Sequence, residues 1–91
     1  MALFALICRD KPGHLQTRLD NRAAHLAYIE ETGTVIQAGP FLDAGGEMCG
    51  SLVILDVADH AAAQSWAEGD PYARAGLFES VSIQAWKKVI G

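Results

Sequence analysis

Residues 2–33 read ALFALICRDKPGHLQTRLDNRAAHLAYIEETG, and a change of rhythm inside them decides the fold class. Ala2–Arg9 is apolar at nearly every position, as a central strand covered on both faces must be. The cluster Asp10–Gly13 breaks it. Between His14 and Thr32 the residues Leu15, Leu19, Ala23, Leu26 and Ile29 recur at steps of four and three, the period of one helical face, and Gly33 supplies a stop. The opening unit is therefore strand, break, helix.

The pattern continues outward from this unit. Thr34–Ala38 reads as a short second strand that Gly39–Pro40 ends, because proline cannot donate to a sheet ladder. After the turn-rich Leu42–Glu47, Met48–Val57 reads as a third strand whose centre, Leu52–Leu55, is again apolar on both faces. Asp59 is a natural cap for a helix over His60–Glu68 that stops at Gly69, and Asp70–Pro71 opens a further turn closed by Gly76. Glu79–Val89 alternates, with Val81, Ile83 and Ala85 on one side and Ser80, Ser82, Gln84 and Trp86 on the other. The order strand, helix, strand, strand, helix, strand predicts an α+β, ferredoxin-like βαββαβ domain with a four-stranded antiparallel sheet, occupying residues 1–91 as one unit. Two helices cover only one side of such a sheet, whereas its first and third strands are apolar on both. A second copy packed sheet to sheet, as in a dimeric α+β barrel with Trp86 in the seam, is the expected cover, so a homodimer is predicted.

Length and composition narrow the partners. In 91 residues, 51% hydrophobic and 20% charged, there is room for one domain. A chain of this size hides only about 60–65% of the surface its unfolded form exposes, so association helps it. Eleven acidic against seven basic residues give a net charge of −4, and no basic run exceeds Lys87–Lys88, so nucleic acid is not an expected partner. The apolar runs are far shorter than the roughly 20 residues that cross a bilayer, and the first strand has no basic lead of a secretory signal. A cytoplasmic protein is expected, with Cys8 and Cys49 as thiols. No zinc spacing, Gly-rich phosphate loop or nucleophile elbow is present, so no metal and no cofactor is called for.

Several residues are placed to do chemistry. Arg18, Arg22 and His25 lie at i, i+4 and i+7, forming a cationic stripe on the flank of the first helix. Arg22 projects near the middle of the apolar stripe, where a charge needs an anion or a polar cavity; alternatively both arginines lay their stems along the sheet edge and reach water. His25 falls where helix and sheet meet and suits either proton transfer or a structural hydrogen bond. Asp70 is either its orienting carboxylate or a plain helix cap. Gly39–Pro40 and Gly50–Ser51 are candidate pocket walls or, alternatively, a plain strand end and a bulge, and Tyr72 and Phe78 add aromatic surface near Asp70.

Taken in order, Arg22–Leu26, Ala38–Gly39–Pro40, Gly50–Ser51, the Ala67–Tyr72 segment with its Asp70–Pro71–Tyr72, Gly76 and Trp86–Lys87–Lys88 resemble the YCII-like proteins over nearly the whole chain. The resemblance implies a ferredoxin-like subunit of a dimeric α+β barrel and a site built on one His and one Asp, which map onto His25 and Asp70. It also implies kinship in fold with muconolactone isomerases and, in activity, with a dehydrochlorinase of chlorinated hydroxy-aromatic breakdown products. The expected function is a cofactor-independent lyase, isomerase or dehydrochlorinase acting by proton transfer on a small anionic, ring-derived molecule. His25 and Asp70 would be catalytic, and Arg22, Arg18, Gly39, Pro40, Ser51, Pro71 and Tyr72 would hold substrate. The alternative is a non-catalytic dimer that binds or senses a small acid in the same cleft.

Overall fold

The computed structural model describes residues 2–91. Strand β1 (Ala2–Asp10) leads into helix α1 (Leu15–Thr32), followed by strands β2 (Val35–Leu42) and β3 (Met48–Val57). Helix α2 (His60–Gly69), the single turn α3 (Pro71–Arg74) and strand β4 (Phe78–Trp86) complete the chain. The four strands form one antiparallel sheet in the order β2-β3-β1-β4, so the two most apolar strands are central. This is the βαββαβ ferredoxin-like arrangement expected from the sequence.

Local chemistry sets the element ends. Gly33 closes α1 at φ 63°, a left-handed conformation that glycine adopts without penalty, and its N–H bonds the Ile29 carbonyl. The Asp59 carboxylate accepts from the Ala62 N–H at the start of α2. Asp70 caps α3 by accepting from the Tyr72 N–H at 3.0 Å, with Pro71 in the first helical position.

Two boundaries differ from the sequence reading by more than one residue. Strand β2 does not end at Gly39–Pro40 but runs through both to Leu42. It is an edge strand paired only to β3, with Pro40 opposite Ser51, and an edge is where a residue with no N–H costs little. Strand β4 ends at Trp86 rather than Val89. Its last partner is Leu3, beyond which β1 has one described residue left to pair with.

The register sorts the sheet into two faces. Phe4, Leu6 and Cys8 of β1 lie opposite Leu55, Val53 and Ser51 of β3 on the helix-covered face. Phe4, Leu6, Val53, Leu55 and Val57, with Ala63 and Trp66 from α2, make the core. The outer face carries Leu3, Ala5, Ile7, Leu52, Ile54 and Trp86, with Leu52 and Trp86 exposed. Phe41 also lies on this face, above Gly50, and the Arg9 guanidinium rests 4.5 Å from its ring centroid. Trp86 is therefore on the side the sequence assigned it.

Helix α1 corrects a third expectation. Its apolar stripe does not simply face the sheet: Leu19 and Leu26 are 47% and 46% exposed, whereas Arg18 and His25 are buried at 2% and 6%. The reason lies in the sheet below. Along the inward face of β1 the sequence Phe4, Leu6, Cys8, Asp10 passes from apolar to acidic, and Ser51 of β3 pairs beside Cys8. Over that end a polar helical face is the complementary one.

Candidate functional site

The site lies at the polar end of the helix–sheet interface. His25, on the middle of α1, places Nδ1 2.7 Å from Oδ1 of Asp70, a residue 45 positions away at the junction of α2 and α3. Both side chains are buried, at 8% and 3% exposure. An ionised carboxylate only accepts, so the proton between them belongs to Nδ1. The same Oδ1 receives the Tyr72 N–H, so Asp70 is the helix cap and the imidazole's partner at once. The two roles that the sequence left as alternatives coexist because the cap points its oxygen at α1.

Tyr72, carried one residue into α3, stacks flat on His25, with centroids 3.9 Å apart and planes at 13°. The Arg18 guanidinium lies 4.7 Å from the same ring centroid. Arg18 and His25 are two turns apart on α1, so the ring lies between them. Phe78 meets the edge of Tyr72 in a T-shaped contact. Burial pushes the Tyr72 hydroxyl pKa up, against the pull of Arg18 and Arg22, so the phenol is a proton-bearing group at neutral pH.

The two arginines of the stripe have different fates. Burial works against the charge of Arg18, but Asp10 outweighs it: Nε and Nη2 each donate to an Asp10 carboxylate oxygen at 2.8 Å, and the guanidinium stays charged. Nη2 also donates to Ser51 Oγ at 2.9 Å. Arg18 is thus the buried cation with its own anion, a place the sequence reading gave to Arg22. Arg22 is exposed and lies on the pocket wall, and among the described residues no carboxylate pairs with it.

A cavity of about 160 Å³ opens among these groups. Cavities of about 150 Å³ admit benzene, so a single ring with small substituents is the scale that fits. Arg18, Arg22, His25, Gly39, Pro40, Ser51 and Tyr72, all named from the sequence, line it. Asp70 stands behind His25 rather than in the wall, and Pro71 does not reach the cavity; it opens α3. Leu26, Ile29, Ala38, Met48 and Val53 supply an apolar half that the sequence reading did not assign. Asp10, by sequence only a strand breaker, is a further residue the sequence does not assign to the site. Its signal was present as the next inward position after Phe4, Leu6 and Cys8.

Among the described residues no group of three or more His, Cys, Asp or Glu is gathered as a metal centre would need. Cys8 and Cys49 are free thiols. Burial and the nearby Asp70 push the Cys8 thiol up to about 12, so it is inert beneath the site.

Comparison with known proteins follows the same outline. The model of the YCII-related domain matches residues 2–87. The chain belongs to the YCII family. Within that family it is 38% identical to protein YciI of Escherichia coli O6:H1, over 96% of this chain and 98% of that protein. An uncharacterized protein of Haemophilus influenzae is 32% identical over 94% and 97% of the two chains. Among solved structures, the YCII chain superposes on 5-chloro-2-hydroxyhydroquinone dehydrochlorinase (TftG) from Burkholderia phenoliruptrix AC1100, determined as a complex with 2,5-dihydroxybenzoquinone. The TM-score is 0.87 at 40% identity, covering 93% of each chain. An antibiotic biosynthesis monooxygenase superposes at a TM-score of 0.61 and 12% identity, which shows a shared fold alone. The described residues contain no helix long and apolar enough to cross a membrane.

Proposed function

We propose that this YCII protein is a cofactor-independent enzyme of the lyase type, moving protons on a small anionic ring compound, with loss of HCl from a chlorinated hydroxyquinol as its model reaction. The observation that carries the reading is the buried 2.7 Å contact between His25 and Asp70 at the wall of a ring-sized cavity that also holds an uncompensated arginine. The similarity to a dehydrochlorinase at 40% identity supports the substrate class.

With Nδ1 committed to Asp70, Nε2 is the nitrogen left to exchange a proton with a ligand. Asp70 fixes the tautomer and stabilises the imidazolium that forms when Nε2 takes a proton. Arg22 holds the phenolate or other anionic oxygen, and the apolar half of the cavity receives the ring. Elimination then needs no oxidant. One hydroxyl proton is transferred through His25 to the chlorine-bearing carbon; a second hydroxyl proton is taken as chloride departs with the C–Cl electron pair, leaving a hydroxyquinone. A single imidazole that alternately accepts and donates serves both transfers. Positioned groups of this kind contribute about 10²- to 10⁴-fold in rate.

The proposal includes a homodimer in the cytoplasm. The outer sheet face, with Leu52 and Trp86 exposed, is the surface offered to a second copy, and two free thiols suit a reducing compartment.

Chloride release from 5-chloro-2-hydroxyhydroquinone tests the function. The wild type is expected to accelerate it and His25→Ala to lose about 10²- to 10⁴-fold in kcat while remaining folded. A protein that binds 2,5-dihydroxybenzoquinone but leaves chloride release at the uncatalysed rate is instead the small-acid binding module. Full activity in His25→Ala removes the imidazole from the mechanism.

A further inference from the structure

The His25–Asp70 pair has a counterpart one cavity wall away, and the two share Tyr72. Asp10, at the end of β1, grips Arg18 through two hydrogen bonds of 2.8 Å; Arg18 in turn reaches Ser51 Oγ at 2.9 Å and lies on the ring that stacks on His25. Asp10 itself does not line the cavity, whereas Arg18, Ser51 and Tyr72 do. Its two bonds fix the plane of the guanidinium, and a fixed plane decides where the remaining N–H points.

We infer that Asp10 is a positioning residue: acting through Arg18, it turns the Ser51 hydroxyl into a donor aimed at a ligand oxygen and clamps Tyr72 flat against the working imidazole. The Ser51 step follows from hydrogen-bond capacity. A hydroxyl has one proton and two lone pairs. Arg18 occupies a lone pair of Oγ, and no acceptor for the Ser51 proton is present among the described side chains or backbone, so that proton is free for an oxygen in the cavity. The charge step follows from pairing. Arg18 is neutralised by Asp10 and adds orientation rather than net positive charge, which leaves Arg22 as the anion anchor. The clamp step follows from geometry, since a guanidinium on one side of the ring and an imidazole on the other leave Tyr72 no room to tilt.

The ligand half of this inference rests on the proposed function; the clamp half does not, and two measurements on the full chain separate them. The first is proton NMR of the His25 carbon-bound ring protons, which the stacked Tyr72 ring displaces upfield. Asp10→Asn is expected to lose at least half of that displacement and Asp10→Glu to keep most of it, with the amide spectrum of the core strands unchanged. An undiminished displacement in Asp10→Asn overturns the clamp. If that variant does not fold, Arg18→Lys replaces it: lysine keeps the charge against Asp10 but has no second nitrogen for Ser51, and the same loss is expected, full retention being the contrary result. The second is titration with 2,5-dihydroxybenzoquinone. Asp10→Asn and Ser51→Ala are each expected to weaken binding about tenfold, the double variant no more than Ser51→Ala alone, because coupled residues are not additive. Two losses that multiply overturn the action through Ser51. A wild type that does not hold the quinone defeats the proposed ligand class and the Ser51 donor with it, and leaves the ring-current result to decide the clamp.

Discussion

Helices α1 and α2 cover the same face of one sheet and bury opposite chemistry. Into the core α2 sends Ala63 and Trp66; α1 lays the half-buried Tyr28 and Ile29 against that core, but the side chains it buries fully are Arg18 and His25, at the polar end, and it leaves Leu19 and Leu26 half in water. The difference is dictated from below, where the inward positions of β1 and β3 are apolar at one end and are Asp10, Cys8 and Ser51 at the other. Apolar burial stabilises the first end without direction. At the second, each buried polar group requires a partner, and the partners found there (Asp10 for Arg18, Asp70 for His25) fix atoms to within a hydrogen bond. One layer thus divides into an end that holds the fold and an end that holds a geometry.

Substitutions at the two ends should separate these tasks. Trp66→Ala removes the largest side chain that α2 buries, along with its Nε1 bond to Thr32 Oγ1, and should cost about 3–5 kcal/mol in urea unfolding. Ring stacking at His25 in the folded fraction should be unaffected. Arg18→Met keeps the unbranched apolar stem but strands the Asp10 carboxylate, and a loss of about 3 kcal/mol is expected. A neutral result there would mean that the polar end is not held by its ion pair, and the contrast between the helices would collapse.

A smaller effect tests the link between the ends. The Tyr28 hydroxyl donates to the Trp66 carbonyl and lies only 2.5 Å from where a Cβ on Gly69, the residue before Asp70, would stand. Gly69→Ala should cost about 1–2 kcal/mol by thermal unfolding, with a broadened Asp70–His25 contact in NMR. The smallest effect is one of pH. The Cys8 thiol, at about 12 when folded and near 9 when unfolded, keeps a proton that the unfolded chain sheds. Its contribution is complete below pH 9 and declines as pH rises towards 12, so Cys8→Ser should flatten the alkaline fall in stability. In the native protein near pH 8, Cys49 should be the thiol that alkylates.

How much of this was legible beforehand follows the same division. The element order, the caps at Asp59 and Asp70 and the stop at Gly33 are local choices, and local chemistry states them in the sequence. His25 and Asp70 are paired in advance only by the family resemblance; spacing alone gives them no distance, since a contact across 45 positions is created by the packing of α3 on α1. The burial of Arg18 rather than of Leu19 was hidden for a related reason. An apolar stripe on a helix indicates a core only if the sheet beneath it is apolar along its whole length, and Asp10 ends that condition. Pro40 reads as a strand end in the sequence because its missing N–H is fatal in a central strand; only the strand order reveals that β2 is an edge.

The central claim, that the buried imidazole and carboxylate are held together to move protons and not only to cap a helix, is tested most directly by kcat for chloride release from 5-chloro-2-hydroxyhydroquinone in Asp70→Asn. Asparagine caps a helix about as well as aspartate, so the fold should persist with its Tm within a few degrees. Because the charge behind the imidazolium is gone, kcat should fall by about 10²- to 10⁴-fold. A folded Asp70→Asn protein that releases chloride at the wild-type rate would contradict the account.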